Sequence, residues 1–379
     1  MTQLGIRVLV VPEAATIFMK GGAMIVSSNF TEQQGLNFQK GLMRMQIALE
    51  DSFMDVALMV DDAPVVILID RGLLDGSAYV SRTQWQALID DSNLNMVMLR
   101  DNRYDAVLHM VTAADGAEDY YATLSNEARY ESVEEAVEKD KKLREAYMGH
   151  KRWVLIDNNV ESFQQKINNA KTQIQNVLGH HTGSNFYKKF LLKKDDVKNP
   201  GTGVPVNFGV NQICEESTVT ETFINYQSTE GKVLMASIEK KGSNLSYAYT
   251  LKTTILKGDQ QVNKKRVISA GEYIELQQSK REDVNTVVCN RVCTIDSGLY
   301  MIFDYYPRVA GQPLICIIQV DAELLKKSGK RVSLPKYLNV EMEITDFEEF
   351  QPHIMALKKY KQPTFDKPTD EEPQSPLKQ

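Results

Sequence analysis

The stretch Pro64-Val-Val-Ile-Leu-Ile-Asp70 decides the fold of the first half of the chain. A continuous apolar run that ends in an acid is typical of a strand buried on both faces, as in parallel sheets. Residues 6–11, 104–111 and 153–157 show similar runs. Helical periodicity separates these runs, and one such segment begins at Thr31 with the spacing of a capping box. Strands that alternate with helices predict an α/β fold with a doubly wound parallel sheet.

The second half of the chain has a different pattern. From about residue 188 onward, short strand-like runs follow one another, separated by turn signals such as Lys257-Gly-Asp and Ala310-Gly-Gln-Pro. This pattern predicts an all-β unit, an antiparallel sheet or barrel. The runs occupy residues 219–226, 233–240, 247–256, 287–295, 299–305 and 314–320. The end of the chain is rich in Pro, Asp, Glu and Lys, which predicts a disordered tail.

The composition of the chain excludes several classes of protein. The net charge of -6 and the pI of about 5.6 argue against a nucleic-acid partner, which usually meets a basic surface. No apolar stretch approaches the roughly 20 residues that cross a bilayer, and the first residues lack the hydrophobic core of a signal peptide. These features predict a cytoplasmic protein without a transmembrane segment. The cysteines lack the spacing of a zinc site and are predicted to be buried free thiols. They are Cys214, Cys289, Cys293 and Cys316.

Several motifs occur in a fixed order in the first half. Val11-Pro-Glu-Ala-Ala-Thr16 and Leu68-Ile-Asp-Arg-Gly72 are followed by matches at residues 109–117 and 155–158. In this order they closely resemble AAA-type P-loop NTPase domains similar to nicotinamide-riboside kinases, over nearly all of residues 4–160. That family begins with a strand and a phosphate-binding G-x-x-x-x-G-K-[ST] loop, and no such loop occurs in this sequence. The resemblance implies an incomplete sheet, with strand edges exposed unless a partner or an upstream segment covers them.

The same resemblance implies four nucleotide-binding residues. Glu13 and Asp70 would lie near substrate and metal, Arg71 near the phosphates, and Arg129 in a lid that reaches the transferring phosphate. The position of Asp70 at the end of a buried strand also suits a Mg²⁺-binding carboxylate, because open parallel sheets bind ligands at that end. The alternative for Asp70 is a cap on the next helix, and for Arg129 a solvated charge on a helix face. Magnesium is expected only if nucleotide binding is retained.

The stretch Asn185-Phe-Tyr-Lys-Lys-Phe-Leu-Leu192 begins the second half. It resembles the first strand of triphosphate tunnel enzymes of the CYTH class, whose signature is E-x-E-x-K. The resemblance implies a β-tunnel in which basic side chains bind phosphates and glutamate pairs hold divalent cations. The signature lysine is present as Lys189, whereas Asn185 and Tyr187 replace the two glutamates. Without paired carboxylates a divalent cation lacks its oxygen ligands, so no metal site is predicted.

Five residues remain as candidates for binding a phosphate or a phosphorylated headgroup in this tunnel. A basic wall of this kind could hold such a group through charge-assisted contacts. The alternative is that the cations are ordinary strand-edge or snorkelling side chains. The candidates are Lys188, Lys189, Lys252, Arg291 and Asp304.

The chain therefore divides into an α/β plus an all-β unit. The predicted boundaries are residues 1–160 for the NTPase-like domain, 161–182 for a helical linker, 183–358 for the CYTH-like domain and 359–379 for the tail. This pairing resembles the family of the TRPL translocation defect protein. The resemblance implies a protein of membrane-protein trafficking that binds a nucleotide, GTP or ATP, or a phosphoinositide headgroup and associates peripherally with membranes. The missing phosphate-binding loop and glutamate pair predict that it is not catalytic. Two alternatives stay open: a small-molecule kinase, NTPase or tripolyphosphatase, and a ligand-free interaction scaffold.

Overall fold

The computed structural model has parallel strands and helices between residues 7 and 177, here called the α/β domain, and a β-rich part between residues 187 and 355, here called the β-domain. The fold is mixed, with parallel sheets in the first domain and a large antiparallel sheet in the second. The structure describes residues 5–23, 31–121, 132–178, 187–193, 214–243, 246–258, 260–296, 299–307, 315–321, 334–335 and 337–363. Residues 364–379 of the predicted tail lie outside these residues, as do the candidate residue Arg129 and Asn185. The predicted start of the tail at residue 359 is wrong, because Tyr360 is 6% exposed and packs in a core cluster of the second half.

Parallel strand pairs form the centre of the α/β domain, as the apolar runs predict. The strand β1 (Arg7–Val11) pairs with β2 (Val65–Ile69), and β3 (Val107–Met110) pairs with β4 (Trp153–Ile156). Helices separate the strands and pack around them. They are α1 (Ala14–Lys20), α2 (Glu32–Leu58), α3 (Arg82–Asp91), α4 (Met96–Asp101), α5 (Val133–Ala146) and α6 (Phe163–Val177).

The two pairs do not join into the single incomplete sheet that the sequence predicts. In the described part of the chain, β2 and β3 each pair on one side only, and both line a cavity of about 3330 Å³. All five residues of β2 are half-buried, although their apolar sequence is typical of a strand covered on both faces. The sheet is divided because no described strand lies between β2 and β3 to bond to their facing edges.

The predicted capping box at the start of α2 is confirmed. The Thr31 side chain accepts a hydrogen bond from the Gln34 N–H, and the Gln34 side chain accepts one from the Thr31 N–H, so that two orphan donors are satisfied.

A shared hydrophobic core joins the two domains. Trp153, 1% exposed, packs on Tyr300 of the β-domain with ring centroids 5.1 Å apart, in a cluster that also contains Leu74.

The β-domain is built on an antiparallel sheet, which confirms the second half of the prediction. The strand order is β13-β5-β12-β11-β10-β6-β7-β8-β9. The strands are β5 (Tyr187–Leu192), β6 (Cys214–Phe223), β7 (Lys232–Ser243), β8 (Ser246–Lys257), β9 (Gln260–Val267), β10 (Val287–Asp296), β11 (Leu299–Tyr306), β12 (Ile315–Asp321) and β13 (Val340–Glu343). Two short helices, α7 (Ala270–Gln277) and α8 (Pro352–Met355), complete the domain.

The sequence pattern missed one strand and one cysteine environment. The strand β9 is polar along most of its length, and among the described strands it pairs only with β8. Its sequence therefore lacks the apolar alternation that reveals a half-buried strand. All four cysteines are free, and Cys289, Cys293 and Cys316 are buried as predicted. Cys214 is only half-buried, because it begins the strand β6 near the edge of the core. No helix among the described residues combines the length and apolarity that a bilayer span requires.

Candidate functional site

The strands β5 to β12 curve around a cavity of about 210 Å³, here called the tunnel. Every second side chain of these strands points inward, which places charged residues from neighbouring strands opposite one another. The described lining contains six basic and four acidic side chains and therefore an excess of two positive charges. The basic residues are Lys151, Lys189, Lys241, Lys252, Lys265 and Arg291, and the acidic ones are Asp101, Glu221, Glu239 and Asp304.

Two of the tunnel carboxylates are held by one lysine. The Lys252 Nζ lies 2.5 Å from Glu239 Oε2 and 3.3 Å from Glu221 Oε1. Burial in the tunnel raises the pKa of Glu239, but the Lys252 ammonium outweighs this effect and lowers that pKa to about 2. The Glu221 carboxylate also accepts a hydrogen bond of 2.7 Å from the Ser237 hydroxyl. Lys252 therefore pairs with both carboxylates and orients them toward itself.

A third carboxylate, Asp304, is neutralised by an arginine. The Arg291 Nε and Nη2 atoms donate to Asp304 Oδ1 and Oδ2 at 2.6 and 2.9 Å, and the Gln319 amide donates to Oδ2 at 2.5 Å. Asp304 is 1% exposed. Burial raises the pKa of Asp304, but the effect of the Arg291 guanidinium is larger and keeps that pKa below the ordinary value. This bidentate geometry is that of a strong, oriented ion pair.

Three tunnel lysines contrast with these pairs. Within the described part of the chain, no carboxylate lies at ion-pair distance from Lys151, Lys189 or Lys265. Desolvation lowers the pKa of Lys151, and the cations Lys252 and Arg291 act in the same direction while Glu239 opposes them; the resulting pKa is about 8. Desolvation also lowers the pKa of Lys189. Lys151 and Lys265 are exposed and Lys189 is half-buried. Cations without a counter-charge that line one cavity create a positive field, which attracts an anion.

The structure brings four of the five predicted tunnel residues together. Lys189, Lys252, Arg291 and Asp304 line the cavity. Lys188 does not, because neighbouring residues of a strand point to opposite faces of the sheet. Its ammonium lies 2.9 Å from both carboxylate oxygens of Glu343 on β13.

Sequence reasoning missed the other charged residues of the tunnel. Polar and charged residues occupy every second position of β7, namely Ser237, Glu239 and Lys241, so they lie on one face of the strand. This spacing is a signal that could have identified Glu239 and Lys241. Lys265 belongs to the polar strand β9. Lys151 belongs to the α/β domain, and no pattern in the sequence indicates that it reaches a cavity of the other domain.

A second cluster of charges lies in the α/β domain, beside the carboxyl ends of β1 and β2. The Arg71 Nε is 3.8 Å from a Glu13 oxygen, and its Nη1 is 3.6 Å from Asp75 Oδ2. Arg71 has a φ of 67°, a left-handed conformation that is uncommon for a residue with a side chain and is often found at functional sites. Burial raises the pKa of Asp75. Asp70 is exposed next to this cluster.

The structure tests the capping interpretation of Asp70. The helical turn that follows is the 3₁₀ segment Leu73–Tyr79, and its N-cap is Gly72, without a side-chain capping bond. Asp70 therefore does not cap the next helix. Across the described residues, no group of three or more His, Cys, Asp or Glu side chains has the arrangement of a metal site.

Comparisons with known proteins agree with parts of this description. Residues 2–166 match the family model of an AAA domain, which covers less than half of the chain. This match fits the AAA-type part of the predicted resemblance. No curated protein matches the chain.

Solved structures show similarity at low identity. The crystal structure of the hypothetical protein NE1496 has 13% identity and a TM-score of 0.32, and covers 46% of this chain and 98% of its own. That of the inorganic triphosphatase NE1496 has 13% identity and a TM-score of 0.30, and covers 46% and 97%. The PH1819 protein from Pyrococcus horikoshii OT3 has 16% identity and a TM-score of 0.24, and covers 36% and 76%. All three TM-scores lie below 0.5, and no conclusion about function follows from them.

Proposed function

We propose that this chain binds a phosphorylated anion, a nucleotide or a polyphosphate, in the tunnel without hydrolysing it. The observation that carries the proposal is the group of lysines Lys151, Lys189 and Lys265, which face the tunnel without a carboxylate partner among the described residues. Charge-assisted hydrogen bonds from ammonium groups to phosphate oxygens are about twice as strong as neutral ones. Such a ligand would neutralise the excess of two positive charges in the lining.

The ion pairs of the tunnel support a binding role over a hydrolytic one. A divalent cation needs several free carboxylate oxygens, and hydrolysis of a phosphoanhydride in such a site depends on that cation. Here Lys252 holds Glu221 and Glu239, and Arg291 holds Asp304. A cation would have to displace these partners before it could bind.

A second nucleotide site is proposed in the α/β domain, at residues that do not line the tunnel. The AAA-domain match and the cluster of Glu13, Asp70 and Arg71 at the carboxyl ends of β1 and β2 are the reasons. Arg71 would contact phosphate, and Asp70 would hold Mg²⁺ if a nucleotide brings it. The resemblance to the TRPL translocation defect family extends the proposal to GTP, to phosphoinositide headgroups and to membrane-protein trafficking.

A ligand screen tests this proposal. Tripolyphosphate, ATP, GTP and soluble inositol phosphates are each added in EDTA, and the melting temperature is measured. A ligand at 100 times its Kd stabilises the native state by about 2.7 kcal/mol, so a ligand that binds raises Tm by several degrees. A phosphate-release assay with Mg²⁺ runs in parallel and should stay flat. Turnover would favour the enzymatic alternative, and no shift with any ligand would leave the scaffold alternative.

The affinity for tripolyphosphate should fall as the pH rises. The anion binds the protonated form of Lys151, which faces Lys252, Lys265, Arg291 and Glu239 and has a pKa of about 8. Above that pH the free protein loses the charge, so binding must take up a proton, and the loss approaches about tenfold per pH unit. Titration calorimetry between about pH 7 and 9 measures this slope. The Lys151→Gln variant is the control, because it should show the flatter slope that belongs to the ligand alone.

A further inference from the structure

A loop of the α/β domain, residues 148–152, reaches the β-domain at the mouth of the tunnel. Groups of the β-domain bind its backbone. The Gly149 N–H donates to the Tyr300 hydroxyl at 3.0 Å, and that hydroxyl donates to the His150 carbonyl at 3.1 Å. The Lys241 Nζ donates to the Gly149 carbonyl at 2.9 Å, and the Tyr187 hydroxyl donates to the carbonyl of Lys151. The β-domain therefore holds this loop by four hydrogen bonds.

The loop is also fixed from within its own domain. Gly149 has a φ of 97°, and a Cβ at this position would lie 2.6 Å from the Arg100 Cζ, so glycine is required for the close approach. The His150 side chain, 2% exposed, bonds through Nε2 to the Tyr104 carbonyl and through Nδ1 to the Arg152 N–H. The position of Lys151 between these anchors is consequently well defined.

Lys151 contributes its charge to a site that otherwise belongs to the β-domain. Its ammonium faces the tunnel together with Lys252, Arg291 and Lys265. A second group of the α/β domain, the Asn102 amide oxygen, lies 3.4 Å from the Lys265 Nζ in the same lining. Residues of both domains therefore line the tunnel.

We propose that the tunnel is a composite site in which a phosphate-bearing ligand binds Lys151 of the α/β domain and Lys189 and Lys265 of the β-domain at once, and so clamps the two domains together. This inference rests on the proposed function of the tunnel. In the absence of a ligand, cations from the two domains repel one another across the mouth, and Lys151 lacks a carboxylate partner among the described residues. An anion placed between them converts this repulsion into attraction on both sides.

Binding and domain docking are measured together in the full chain, with tripolyphosphate as the probe. Titration calorimetry gives the affinity, and amide hydrogen exchange reports the opening of residues 148–152 and of α4 (Met96–Asp101). We expect the wild-type protein to exchange more slowly at these amides when saturated with tripolyphosphate. Lys151→Gln should bind about ten- to a hundredfold more weakly and lose this protection even at saturation.

Two further variants separate the clamp from binding alone. Lys189→Gln should bind more weakly but keep the ligand-dependent protection at saturation, since Lys151 is intact. Lys151→Arg keeps the charge and should restore much of both effects, which also shows that a change at this position does not simply unfold the protein. Wild-type affinity or undiminished protection in Lys151→Gln would overturn the clamp and leave the proposed function standing. An absence of any binding to the wild-type protein would overturn both.

Discussion

Replacement of Arg291 by methionine should destabilise the protein by about 3–5 kcal/mol, because it leaves the carboxylate of Asp304 buried without its counter-charge. Asp304 is 1% exposed, and among the described residues the Gln319 amide and the Cys289 thiol would remain to bind it after the replacement. Methionine fills a similar volume, so loss of packing contributes little. Unfolding in guanidinium chloride at neutral pH, followed by fluorescence, measures the change.

A second arginine–aspartate pair in the same domain provides the matched control. Arg281 and Asp283 also form a bidentate pair, but their side chains are 37% and 62% exposed. Exposed pairs contribute about 0–1 kcal/mol, so Arg281→Met should change the free energy of unfolding by no more than that. Removal of both buried charges in Arg291→Met with Asp304→Leu should recover much of the loss. Equal, small effects of Arg291→Met and Arg281→Met would contradict the buried pair in the tunnel.

The second large effect is expected at the junction of the domains, from Asp101→Asn. The Asp101 carboxylate accepts hydrogen bonds from Arg100 at 3.1 and 3.2 Å and lies 2.9 Å from the Lys241 Nζ of the β-domain. All three side chains are less than 10% exposed. Replacement with the neutral amide leaves two buried cations with one charged partner among the described residues, Glu215, and should cost about 3–5 kcal/mol.

The pH dependence of this loss identifies its electrostatic origin. Burial raises the pKa of Asp101, but Arg100 and Lys241 outweigh burial and lower it well below the ordinary range. A depressed folded-state pKa gives stability that is present above the unfolded pKa and is lost on acidification. The difference between wild type and Asp101→Asn should therefore be constant at neutral pH and shrink below about pH 4. Asp62→Asn, at an exposed pair with Arg7, is the control and should show almost no difference at any pH.

The sequence predicted those elements whose signals are local. The capping box of Thr31 and Gln34 and the apolar run of β2 each follow from the pattern along one segment. The tunnel position of Lys189 on β5 was implied by the resemblance to the E-x-E-x-K strand. The antiparallel sheet followed from short runs separated by turns. The polar strand β9 was not predicted, because its sequence carries no apolar alternation.

The features that the sequence did not predict depend on contacts between segments that are distant in the chain. Lys252 pairs with Glu239 because β7 and β8 meet in one particular register, which the sequence does not specify. Lys151 enters the tunnel only because the two domains dock, and the divided sheet of the α/β domain depends on which strands find a neighbour. A motif-based reading therefore identified charges that line the tunnel but not which of them remain available to a ligand.

The most direct test of the anion-binding tunnel is a titration of tripolyphosphate, in EDTA, into the wild-type protein and two single variants of neighbouring lysines. Lys189→Gln removes a charge from the tunnel, whereas Lys188→Gln removes one from the opposite face of the same strand, where Glu343 binds it. We expect Lys188→Gln to bind like the wild type and Lys189→Gln to bind at least about tenfold more weakly, the effect of one lost charged hydrogen bond. Equal affinities of the two variants, or a larger loss in Lys188→Gln, would contradict a ligand in the tunnel.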